Sequence, residues 1–169
     1  MFITSTKQIM KSSSTLYLAT LISSFFFFSC ERSGSGKCTE TNISTATRSS
    51  HNAGENCAKC HTQGEEGRGC FTVCGTAYKN DRSTPMADAV LLLLTRDENY
   101  NITGVKREIK GDKSGNFYTT ESTDFVGSYP AIVSKNGDTT FMGSSLTTTA
   151  SCNSCHSAKN GTQSVVYGK

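Results

Sequence analysis

The chain has 169 residues, 35% hydrophobic and 18% charged, with a formal net charge of +3, eight cysteines, three histidines and no tryptophan. That length suits one domain of ordinary size, and the dispersed lysines and arginines, forming no stripe or run, exclude a nucleic-acid binder. No Ser/His/Asp array, phosphate-binding loop or dinucleotide fingerprint stands in the chain, which excludes those enzyme classes as well.

At the N-terminus, Lys7 and Lys11 precede an apolar stretch at 16–28, followed by small Ser29. A basic region, an apolar region of this length and a small residue make an export signal. The apolar stretch falls short of the about 20 residues that a bilayer span needs. Ser29-Cys30 resembles the lipobox of bacterial lipoproteins, although Phe27 and Phe28 replace the usual aliphatic and small residues. The resemblance implies cleavage of residues 1–29 and diacylation of Cys30, an anchor of two acyl chains that holds where one would not. Glu31 rather than Asp follows Cys30, which in such lipoproteins leans toward the outer membrane, on its periplasmic or its surface face. A plain cleaved signal is the alternative.

Residues 30–50 are dense in Ser, Thr and Gly and almost devoid of large apolar side chains. They are expected to form a flexible tether whose ends lie roughly 25 Å apart; an edge segment pinned by Cys38 is the alternative.

Cys57-Ala58-Lys59-Cys60-His61 follows, and the same Cys-x-x-Cys-His spacing recurs at Cys152-Asn153-Ser154-Cys155-His156. This spacing is the c-type haem attachment signature: two thiols add to the porphyrin vinyl groups and the adjacent imidazole ligates the iron. A shuffle of this composition would yield even one copy on the order of one time in a hundred. Two covalent haems are therefore expected, with Cys57, Cys60, Cys152 and Cys155 as attachment points and His61 and His156 as proximal ligands. The remaining imidazole in the chain is His51, so at most one haem can have two histidine ligands within a monomer. His51 is expected as a distal ligand, against the reading of a solvated loop histidine. Met86 and Met142 are the only methionines beyond the export signal. Met142 is a candidate second distal ligand, against a core-filling thioether.

Between the motifs, six strand-like runs alternate with turn signals, at 71–78, 88–95, 102–110, 116–121, 129–135 and 139–147. Asn136-Gly137 suits a tight hairpin turn. Leu91 to Leu94 is compatible with a helical turn by periodicity alone, but the run length and the flanking Val90 and Thr95 favour a buried strand. Six strands running up and down in turn would return the chain to the end it entered and bring both haem segments to one end.

Four cysteines go to haem and Cys30 to lipid, leaving Cys38, Cys70 and Cys74. Within one straight strand Cys70 and Cys74 would lie about 13 Å apart, beyond disulfide reach. A Cys70–Cys74 bridge is nonetheless expected, with the strand starting after Cys70 and the chain folding back; pairing of Cys38 with either one, or three reduced thiols, stays open.

The stretch GTAYKNDRSTPMADAVLLLL, then GDKSGNFYTTE, then FVGSYPAIV, resembles the carboxypeptidase-regulatory or transthyretin-like β-sandwich family. The resemblance covers residues 71–135 and implies a non-catalytic scaffold, so function rests on what is grafted onto it. The expected fold is mainly β, a small antiparallel sandwich over residues 51–169 with short helical or irregular haem-binding segments at both ends. As a whole the chain resembles a small dihaem c-type cytochrome lipoprotein. That implies an electron carrier without catalytic residues, exchanging electrons with redox proteins or extracellular acceptors; peroxidase activity would need an open iron position. The alternatives are a thiol-disulfide protein, although no thioredoxin-like pattern is present, and a zinc-binding, adhesive β-sandwich lipoprotein.

Overall fold

The computed structural model describes residues 38–157 and 163–168; the export signal, Cys30 and the first part of the expected tether lie outside the described residues. All six expected strands form, as β1 (Val73–Thr76), β2 (Val90–Arg96), β3 (Ile102–Lys110), β4 (Asn116–Thr119), β5 (Tyr129–Val133) and β6 (Thr139–Phe141). Leu91 to Leu94 is strand, as length and β-branched neighbours argued. No helix among the described residues is long and apolar enough to cross a membrane.

The strands make two antiparallel sheets, a ribbon of β1 and β4 and a four-stranded sheet in the order β3-β2-β5-β6. The fold is thus mainly β and sandwich-like, but it is not an up-and-down meander. β1 skips its sequence neighbours to pair with β4, setting Gly75 opposite Phe117. β2 lies in the middle of the larger sheet, paired with β3 and β5. Its leucines alternate inward: Leu91 and Leu93 are buried together with Val73, Phe117, Ile109, Ile132 and Met86 in one apolar cluster between the sheets. Burying each such side chain contributes about 1.5–3 kcal/mol. Met86 is 6% exposed, which commits it to packing.

β1 and β4 are buried at every position. One face of this ribbon covers the larger sheet, and the segments that carry the Cys-x-x-Cys-His motifs lie against it. Gly75 shows how close that approach is. A Cβ there would lie 2.6 Å from the Phe117 ring and 2.8 Å from the Cβ of Cys152, so the strand needs a residue without a side chain.

Two expectations are corrected. The disulfide joins Cys38 to Cys70, with their Cα atoms 4.6 Å apart, and Cys74 is a free, buried thiol; Cys74 sits inside β1, where the extended backbone carries it out of reach of Cys70. The tether does not continue to Ser50. From Cys38 onward the segment is tied down by that disulfide, by a bridge from Ile43 to Thr119 and by the buried Ser44 hydroxyl donating to the Lys110 carbonyl at 2.6 Å. Backbone and hydroxyl bonds fix a stretch that lacks the apolar residues by which order is ordinarily recognised in a sequence.

Candidate haem sites

Each motif folds as one turn of 3-10 helix, Cys57–Lys59 and Cys152–Ser154. The two turns are near copies. Cys60 and Cys155 close them at φ −107°, ψ −29° and φ −110°, ψ −34°, and each histidine amide donates back to the carbonyl of the first cysteine, at 3.0 Å for His61 and 2.8 Å for His156. A residue downstream of each histidine bonds back to the motif. Gly67 N–H donates to the Cys60 carbonyl and Gln163 N–H to the Cys155 carbonyl, at 2.8 and 2.9 Å. Gly67 is required there, because a Cβ would lie 2.5 Å from the Cys60 oxygen.

Downstream carbonyls also set the imidazoles. His61 Nδ1 is 3.1 Å from the Arg68 carbonyl and His156 Nδ1 is 2.5 Å from the Ser164 carbonyl. A carbonyl can only accept, so each Nδ1 is placed to donate, which in a neutral ring leaves the Nε2 lone pair available, the arrangement of a histidine that ligates a metal. Burial, outweighing the two backbone carbonyls that face it, holds the His61 pKa below the ordinary imidazole value and favours the neutral form.

Each motif opens onto its own cleft. The first is lined by His51, Cys57, Cys60, His61, Phe71 and Tyr118. The rings of His51 and His61 are 6.0 Å apart and within 24° of parallel, and Phe71 stacks on His61 at 4.0 Å. The second cleft is lined by Cys152, His156 and Met142 among Leu91, Ile132 and Val166. Met142 is held there by its amide donating to the Pro130 carbonyl at 2.9 Å. The sequence candidates thus sort into two sets, His61 with His51 and His156 with Met142.

The two motif segments touch. Ser151, immediately before Cys152, donates its hydroxyl to the Oδ1 of Asn56, immediately before Cys57, at 2.7 Å, and Ser157 donates to the Gly54 carbonyl at 3.0 Å. The juxtaposition expected from counting strands is present, but its cause is different: both segments pack on β1. Behind them Cys57, Cys74 and Cys152 form a thiol cluster. A hydrogen bond with Cys74, and then burial, hold the Cys57 thiol well above the ordinary range, and burial pushes Cys152 up to about 12.

Three buried polar side chains that sequence reasoning passed over hold this junction. Thr76, 0% exposed, donates its hydroxyl to Asn116 Oδ1 at 2.6 Å and accepts from the Gly54 amide and from Asn153 Nδ2. Asn153 closes the set by donating to the Glu55 carbonyl at 2.7 Å.

The chain matches no protein-family model, and no curated protein and no solved structure resembles it. Function must therefore be argued from the geometry.

Proposed function

We propose that the protein is a small dihaem c-type cytochrome, an electron carrier anchored to the outer membrane through Cys30. The observation that carries this reading is the repeated unit of turn, fixed imidazole and cleft at two Cys-x-x-Cys-His motifs. The residues present fit haem. Each cleft is lined by motif cysteine and histidine together, which suits a motif whose thiols bond to porphyrin carbons while only the imidazole meets the metal. Cys57, Cys60 and His61 would hold one haem and Cys152, Cys155 and His156 the other, with His51 and Met142 as distal ligands. Haem bound there supplies a one-electron iron couple at each site.

The chain's own residues do the rest. The Arg68 and Ser164 carbonyls hold the Nδ1 protons and orient the Nε2 lone pairs. Phe71 and Tyr118, stacked at 4.7 Å, wall the first site; Leu91, Ile132 and Val166 keep water from the second. The sandwich fixes the distance between the sites, the role a scaffold plays for an electron carrier. Redox proteins or extracellular acceptors would be the partners.

The test is expression of the full chain with haem-maturation machinery, followed by haem staining of a denaturing gel and a pyridine haemochrome assay. Two covalent haems of c type per chain are expected. A chain that stays colourless, with all four motif thiols open to alkylation, would overturn the reading.

A further inference from the structure

We infer that Asn116 and Thr76 are positioning residues that set the distal imidazole of the first site and couple it to the motif of the second. The inference rests on the two-haem reading and deepens it. Asn116, at the start of β4 and 2% exposed, spends both amide hydrogens on the distal segment, one on the Ser50 hydroxyl at 2.9 Å and one on the His51 carbonyl at 3.0 Å. The backbone of His51 is thus tied to a strand, although its side chain is exposed on a loop. Asn52, the next residue, has φ +52°, a left-handed conformation that asparagine readily adopts.

The opposite end of the Asn116 side chain accepts from Thr76. Thr76 in turn is bonded to Asn153, which lies between the two cysteines of the second motif: the Thr76 amide donates to Asn153 Oδ1 at 3.1 Å, and Asn153 Nδ2 donates to the Thr76 hydroxyl at 3.0 Å. Gly54, three residues beyond His51, donates to the same hydroxyl at 2.9 Å. One buried hydrogen-bonded set therefore touches the distal segment of one site and the cysteine turn of the other. Every hydroxyl and amide in it is satisfied, so a displacement on one side leaves a buried group unpaired unless the other side follows.

The experiment compares the haem-loaded full chain with Asn116→Leu, Thr76→Val and Thr76→Ser, using electron paramagnetic resonance and magnetic circular dichroism to count bis-imidazole haem, and carbon monoxide binding to detect open positions. In the unaltered chain one bis-imidazole haem and one imidazole-thioether haem are expected, with no carbon monoxide binding. Asn116→Leu should retain both covalent haems while His51 ligation weakens about tenfold or more, seen as loss of bis-imidazole signal and gain of carbon monoxide binding. Thr76→Val should perturb both signals, and Thr76→Ser, which keeps the hydroxyl, should restore them. Undiminished bis-imidazole signal in a folded Asn116→Leu chain would overturn the positioning role. Should that variant fail to fold, Thr76→Val decides: an unchanged thioether signal overturns the coupling. An unaltered chain without covalent haem would overturn the underlying reading instead.

Discussion

The two clefts share a motif and a backbone turn but differ in everything that surrounds them. The first is lined by the aromatic rings of Phe71 and Tyr118 together with polar residues of the segment before Cys57, and offers a second imidazole; the second is lined by residues of β2, β5 and β6 and offers a thioether. One Cys-x-x-Cys-His turn, placed twice against β1, thus acquires two environments. On the proposed dihaem reading, a thioether ligand would raise the iron potential relative to two imidazoles, and the second site would be the electron sink of the pair.

Replacing the distal candidates breaks the comparison most sharply. His51→Ala should leave two covalent haems, abolish the bis-imidazole signal and open the first site to carbon monoxide; Met142→Ala should do the same to the thioether signal alone. Optical titration of the reduced variants with carbon monoxide checks both. A mixed response would mean that the clefts do not own these ligands.

The disulfide tests which site the N-terminal segment serves. Cys38–Cys70 closes a loop of sequence separation 32 that contains His51 and the whole first motif. By loop entropy it stabilises the chain by roughly 3–4 kcal/mol. Denaturant unfolding of Cys38→Ser/Cys70→Ser should show a loss of that order, and at low denaturant the bis-imidazole signal should fade before the thioether signal.

Gly75→Ala probes the other side. Its new methyl meets the Phe117 ring and Cys152, an overpacking that should cost about 1–3 kcal/mol and shift the spectrum of the second site while sparing the first.

The smallest effect is expected in acid. Asp81 is held at about 2 by the Thr84 hydroxyl and the Thr84 and Ser83 amides, in a loop where Arg82 lies over Tyr167 at 4.5 Å, on the rim of the second cleft. Because its folded value lies below the unfolded 3.8, the carboxylate stabilises the loop above that pH, and the contribution is lost as pH falls from about 4 to about 2. Amide exchange in residues 79–84 should quicken over that window, and Asp81→Asn should flatten the dependence.

Strand periodicity was legible because each run is bounded by turn residues; β3 falls on residues 102–110 as read. The two motifs were legible because their thiols and imidazoles recur at one spacing; His51 and Met142 were candidates by count alone, and each lines the cleft of one motif. What escaped was tied together by polar side chains. Thr76, Asn116 and Asn153 look like surface residues, and only their buried partners reveal their role. Gly75 carried a usable signal, since a glycine inside a strand marks a close backbone approach. The Cys38–Cys70 bridge was left as an alternative to Cys70–Cys74 because nothing local in residues 38–50 marks that segment as pinned.

The central claim, two unlike haem sites on one scaffold, is tested most directly by an anaerobic spectroelectrochemical titration of the full haem-loaded chain. Two one-electron waves separated by more than about 60 mV, a tenfold difference in electron affinity, are predicted, with the thioether haem reducing first. A single wave, or two waves with the same ligation spectrum, would contradict the account.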